Sequence, residues 1–154
     1  MKMASGRRTE KAGIRDAGSS VLTASESASR WEGSTMTHGH EISAEMREAI
    51  QNCEECHGIC TEITVYGVRQ GGNYADPDHV GLLLDCAQMC ALSADFMLRL
   101  SHYNGRVCDV CSAICRRCAD SCERVGPADT RMKQCADVCR RCAESCRRMA
   151  EAAM

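Results

Sequence analysis

The run CSAICRRCADSC at Cys111–Cys122 returns as CADVCRRCAESC at Cys135–Cys146, an offset of 24 residues. Each copy spaces its cysteines by four, three and four, the alternation of an apolar heptad seam, so every thiol falls on one face of a helix. Cysteine stands where leucine normally fills a bundle. Arg116, Arg117, Asp120 and Glu123 in the first copy, and Arg140, Arg141, Glu144 and Arg147 in the second, point away from that face. Both segments are therefore amphipathic helices with sulfur on the inner side.

Working outward, CAQMC at Cys86–Cys90 repeats the opening of those runs, with Ser93 and Met97 at the third and fourth seam positions. CEECHGIC at Cys53–Cys60 has the spacing of CRRCADSC, and Cys108 extends the third seam by one position. Four related helices follow from this pattern. The first is expected from about Ile42 to Tyr66, with a loop from Gly67 to Asp76. Asp76 as N-cap and Pro77 in the first turn open a second helix running to about His102, with the seam His79, Leu83, Cys86, Cys90, Ser93, Met97 and Leu100. Asn104-Gly105 is read as the break before the third helix and Gly126-Pro127 as the break before the fourth. Four helices of roughly 20 to 27 residues with short connections predict an all-α, antiparallel, up-down-up-down four-helix bundle with a cysteine-lined core.

The chain has 154 residues, enough for one domain, and no stretch resembles a run of roughly 18 apolar residues, so no membrane span is expected. Aromatic residues make up 3% of it, so the bulky core fillers are largely missing and fourteen cysteines take their place. The net charge of −2, with both signs interspersed, gives no electrostatic footprint for nucleic acid. Residues 1–40 are rich in Ser, Gly, Ala and Arg and lack a sustained period; they read as a disordered tail ahead of a metal-binding domain at 41–154. A natural start at Met36 is the alternative reading of that tail.

Fourteen cysteines suit a disulfide framework in an oxidising compartment or a metal site in a reducing one. Arg7-Arg8 hints at a twin-arginine signal, but no apolar segment follows it, so the chain is expected in the cytoplasm. Disulfides between thiols three or four residues apart would close very short loops and restrain the unfolded chain little. Thiolates are soft ligands that favour Cu(I), zinc and iron–sulfur clusters. Structural zinc and iron–sulfur sites draw their cysteines mainly from loops and knuckles, whereas these sit on continuous helices. Two cysteines at i and i+4 can close on one ion from a single helix, which suits Cu(I). Such pairs occur at Cys56/Cys60, Cys86/Cys90, Cys111/Cys115, Cys118/Cys122, Cys135/Cys139 and Cys142/Cys146. These twelve, with Cys53 and Cys108, are the candidate ligands for several Cu(I) ions per chain. Cys53-Glu54-Glu55-Cys56-His57 also satisfies the haem-attachment pattern CxxCH, a coincidence in a seam that continues through Cys60.

With CxxxC pairs on four helices and the CRRCADSC and CRRCAESC runs, the chain from about Ile42 to Met154 resembles the four-helix-bundle copper storage proteins of bacteria, in particular their cytosolic branch. The resemblance implies Cu(I) held in the bundle core by cysteine thiolates, and a homotetramer. Ser93 and Met97 depart from the cysteine pattern and leave fewer thiols on the second helix. Leu82, Leu84, Leu92, Phe96 and Leu98 off that seam separately predict a homo-oligomer. Nothing suggests catalysis: no nucleophile–base pair and no phosphate loop stands out. An iron–sulfur or zinc-thiolate protein and a thiol redox buffer are the competing readings.

Antiparallel layering gathers Met46, Met97, Cys108 and Met149 at one end of the bundle, with Met36, His38 and His40 just upstream. Thioether and imidazole are weaker Cu(I) ligands than thiolate, so this end is the expected metal entry, through Met46, Met97, Met149, His38 and His40. Ile63, Leu83, Val125 and Met132 fall at the opposite end with His79.

Overall fold

The computed structural model describes residues 41–153, and the expectations for the tail, including Met36, His38 and His40, lie outside them. Four helices account for most of the described chain: α1 (Ala44–Gln70), α2 (Pro77–Leu98), α3 (Asn104–Val125) and α4 (Thr130–Ala152). Side-chain oxygens cap three of the four N-termini. Ser43 accepts from the Met46 N–H, Asp76 from those of Asp78 and His79, and Asp129 from those of Arg131 and Met132. Asp76 with Pro77 behind it opens α2 as expected.

Three boundaries differ from the sequence reading. Helix α1 runs through Gly67 and stops only at Gly71, whose φ of 74° is left-handed. Gly67 is a contact point and not a breaker, because a Cβ there would lie 2.6 Å from the Tyr74 carbonyl oxygen. The expected loop is thereby reduced to Gly71–Asp76, most of it a 3-10 turn at Gly72–Ala75. Helix α2 ends at Leu98, short of His102, because Leu100 takes φ 52° and the Ser101 N–H turns back to the Phe96 carbonyl at 2.9 Å. This is a glycine-type helix ending formed without glycine. Asn104-Gly105 is consequently no break; it forms the first turn of α3, where a side chain on Gly105 would run into Ala153.

Each helix packs on its sequence neighbours and α4 closes the ring against α1, as an up-down-up-down bundle requires. The ends pair as antiparallel layering demands. Tyr66 near the end of α1 reaches Asp129 at the start of α4, and His79 at the start of α2 reaches Ser121 near the end of α3. Small residues flank the sulfur seam: Ala87, Ala94, Ala119, Ala136 and Ala143, with Ser112, Ser121 and Ser145, are all buried where helices meet. They let the backbones approach closely enough for short thiol side chains to fill the axis.

Among the described helices α2 alone has the length and hydropathy of a membrane span, contrary to the sequence reading. In the bundle its seam from His79 to Met97 is buried against the other helices. Its other apolar residues include the exposed Leu84, Leu92 and Leu98.

Candidate metal centre

All fourteen cysteines are fully buried and unbridged. Helix α1 contributes Cys53, Cys56 and Cys60, and α2 contributes Cys86 and Cys90. Helix α3 supplies Cys108, Cys111, Cys115, Cys118 and Cys122, and α4 supplies Cys135, Cys139, Cys142 and Cys146. Their sulfurs form a continuous column. From one end it runs Cys118 to Cys60 at 4.0 Å, Cys60 to Cys139 and Cys139 to Cys56 at 3.6 Å, and Cys56 to Cys86 at 3.8 Å. It continues through Cys86 to Cys115 at 3.6 Å, Cys115 to Cys90 at 3.5 Å, and Cys90 to Cys142 at 3.7 Å. Cys142 to Cys53 at 3.7 Å and Cys53 to Cys146 at 3.4 Å complete the run. Cys60–Cys118 and Cys90–Cys142 cross the diagonals of the bundle, so sulfur spans the full cross-section.

Four groups of four thiols have all their sulfurs within 4.8 Å of one another: Cys53/Cys111/Cys142/Cys146, Cys56/Cys60/Cys86/Cys139, Cys56/Cys90/Cys115/Cys142 and Cys60/Cys118/Cys135/Cys139. A metal–sulfur bond of about 2.3 Å sets the sulfurs of a trigonal or tetrahedral site about 3.8 to 4.0 Å apart. The helices therefore already hold the donors at coordinating distance. Cys56, Cys60, Cys139 and Cys142 each belong to two groups, so separate closed sites cannot all be filled at once. Cys108 and Cys122, at the two ends of α3, belong to none of these groups.

Each sulfur–sulfur contact needs one donor and one acceptor, which divides the thiols. Cys56 and Cys86 are held below the usual thiol range chiefly by Cys115, and Cys135 chiefly by Cys118. Cys60 and Cys139 are pushed up chiefly by their contacts with Cys118, and Cys90 and Cys142 by Cys111, with burial adding in each case. At Cys53 the contact with Cys111 raises the value, but those with Cys142, Cys146 and Cys90 outweigh it and lower it to about 6. No Lys or Arg is buried among the described residues, so nothing but a bound cation can neutralise several thiolates here.

The methionines expected at one end differ in exposure. Met97 is fully buried, Met149 nearly so, and Met46 is half-buried and packs against the core. At the opposite end His79, Leu83 and Met132 are fully buried. Tyr66 donates to Asp129 at 2.6 Å and its ring meets Tyr74 edge-on, with the Arg131 guanidinium 4.8 Å from the same ring. No sequence period marks this closure, because its members are remote in the chain.

Of the other histidines, His57 points out of the column and its Nδ1 lies 2.9 Å from the Ala87 carbonyl oxygen, tying α1 to α2. His102 is exposed in the α2–α3 connection. Cys53 and Cys56 of the CxxCH match both lie inside the column. Ser93, standing in a cysteine position, is fully buried and donates to the Met89 carbonyl at 2.8 Å, which satisfies its hydroxyl within its own helix.

A family model described as copper storage protein matches residues 42–151. Among solved structures, a protein of Nitrosospira multiformis is 36% identical, with a TM-score of 0.65 over 70% of this chain and 96% of that one. A Cu(I)-bound copper storage protein of Bacillus subtilis is 28% identical, with a TM-score of 0.63 over 69% of this chain and 98% of that one. A cytosolic copper storage protein of Streptomyces lividans, 24% identical with a TM-score of 0.64 over 70% of this chain and 92% of that one, shares the fold. A comparison with curated proteins finds no match. With the matched region spanning all four cysteine-bearing helices, this chain belongs to the copper storage protein family.

Proposed function

We propose that the chain stores several Cu(I) ions in its bundle core, bound by the fourteen thiolates. The observation that carries this is the shared, charge-uncompensated sulfur column. Filling two separate four-thiolate groups with a divalent ion would leave each site with two excess negative charges in a core that contains no counter-charge. A monovalent soft ion shared between bridging thiolates neutralises the core when ions approach thiols in number. That favours Cu(I) over zinc, and regular helices do not wrap an iron–sulfur cluster. The Cu(I)-bound relative supports the same ion.

Reduced protein titrated with Cu(I) under anaerobic conditions is expected to take up on the order of ten ions per chain. Uptake of only two or three zinc ions, with no comparable Cu(I) capacity, refutes the reading. Rapid, reversible thiol cross-linking by a small oxidant in the absence of metal would favour redox buffering instead. The role is binding and release, without a catalysed reaction, and the compartment is the cytoplasm, where thiols stay reduced.

Two finer features belong to the same proposal. Copper enters at the end lined by Met46, Met97 and Met149, whose exchangeable thioethers lead inward to thiolates. The chain also assembles as a homo-oligomer. Leu84, Leu92 and Leu98 are 42%, 44% and 52% exposed on α2, flanked by half-buried Leu82 and Phe96. Val65 and Val68 on α1 and Val110 on α3 are also exposed, so the apolar surface extends beyond α2. A monomer by light scattering at micromolar concentration contradicts assembly.

A further inference from the structure

His79 is fully buried, and its two ring nitrogens are in different situations. Nδ1 lies 2.9 Å from the Ser121 hydroxyl oxygen, which also accepts from Arg124 at 3.2 Å. Nε2 has no hydrogen-bond partner, the one buried side-chain nitrogen or oxygen so placed among the described residues. A buried polar atom left without a partner costs about 1–3 kcal/mol, so the orphan calls for an occupant.

Position, neighbours and chemistry agree on what that occupant is. His79 lies seven residues before Cys86 and shares its phase on the α2 seam, where the heptad pattern places metal-facing side chains. Its hydroxyl partner Ser121 is adjacent to Cys122, one of the two thiols outside the four-thiol groups. Ligating histidines commonly donate their second N–H to an oxygen, which fixes the ring and the tautomer. With the proton on Nδ1, Ser121 plays that part, since its oxygen has one lone pair for Arg124 and one for Nδ1–H. Nε2 then offers its lone pair to the core.

We infer that His79 Nε2 is a metal ligand, adding an imidazole-ligated Cu(I) position at the Tyr66–Asp129 end of the column. The inference rests on the copper-storage reading and adds a nitrogen-ligated position to it. Imidazole binds Cu(I) less tightly than thiolate, so this position fills after the all-sulfur interior and gives up its ion to a chelator first.

The test uses the full chain with nitrogen-15-labelled histidine, loaded with isotopically enriched silver(I), a spin-half ion of the same charge and softness as Cu(I). The Nε2 resonance is assigned by substituting the other four histidines one at a time. Coordination splits it by scalar coupling, which passes only through a bond; an unsplit Nε2 resonance at full loading overturns the inference. Cu(I) titration of the wild-type chain distinguishes this from failure of the storage reading, which would show as loss of the multi-ion capacity itself. His79→Phe, which keeps a ring in the cavity, is expected to bind about one Cu(I) fewer per chain than wild type. Undiminished capacity in a folded His79→Phe protein also counts against the inference.

Discussion

Cys139→Ser interrupts the column at one of its most shared points. The Cys139 sulfur is 3.6 Å from Cys56, 3.6 Å from Cys60 and 4.0 Å from Cys86, and it belongs to two of the four-thiol groups. The helix itself should survive the change. Ser93 already occupies an equivalent seam position and satisfies its hydroxyl at 2.8 Å from the carbonyl four residues earlier, an option open to a serine at 139 toward the Cys135 carbonyl. With that bond made, the cost to the metal-free protein is about 1 kcal/mol, or roughly 4 °C in midpoint for a domain of this size. The loss of metal is larger in proportion. Ions bridged through Cys139 lose a thiolate on both sides, so capacity should fall by about one or two ions from on the order of ten. Anaerobic Cu(I) titration against a chromogenic chelator measures the capacity, and circular dichroism checks the fold. A folded Cys139→Ser protein with wild-type capacity and wild-type resistance to the chelator would falsify the shared-thiolate column, whatever the total ion count.

Three other outcomes follow from the same geometry. Copper loading should release protons, because thiols such as Cys60, Cys90, Cys139 and Cys142 are held protonated near neutrality; affinity therefore rises with pH, and falls as protons compete for sulfur. A lightly buffered titration that shows no proton release on copper loading contradicts this. Replacing Met46, Met97 and Met149 together with leucine, a swap that nearly conserves volume, should slow copper loading and its removal by a chelator without changing capacity; unchanged rates place the entrance elsewhere. Tyr66→Phe should lower the melting midpoint. The Tyr66 hydroxyl holds the Asp129 carboxyl below its usual range, so the stability that pairing adds is present above that range and lost as pH falls through the lowered value; a wild-type midpoint that differs from the variant equally at acid and neutral pH rules this out.

The seam made the bundle legible. A 4-3-4 spacing of cysteines in Cys111–Cys122 and Cys135–Cys146 specifies helix, inner face and ligand type together, because one residue type marks all three. All fourteen candidate ligands accordingly lie where the spacing put them. The ends were harder. Leu100 adopts a left-handed turn that local sequence reserves for glycine, so the end of α2 carried no mark, while Gly67 and Gly105 read as breaks although they serve close packing. The buried serines were equally silent. Ser121 and Ser145 sit beside charged residues and Ser112 beside none, and only the neighbouring helix shows that all three face inward. The Tyr66–Asp129 and His79–Ser121 pairs join residues far apart in the chain and obey no period.

A core made of one repeated side chain has little to say about how far one helix is slid along another. Shift α4 by one heptad against α3 and most sulfurs still meet sulfurs, with the flanking alanines and serines again in contact. In an ordinary bundle, leucines and isoleucines of different shape would forbid that slip. Here the vernier is read at the ends: Tyr66 must reach Asp129, His79 must reach Ser121, and Gly105 must receive Ala153. Arg140 on Asp120 and Glu123, Arg141 on Glu55 and Arg148 on Glu48 add a coarse scale along the sides of α4. The uniformity that lets a metal find the same chemistry at every level thus leaves the alignment of the four helices to a handful of polar and glycine contacts outside the sulfur column.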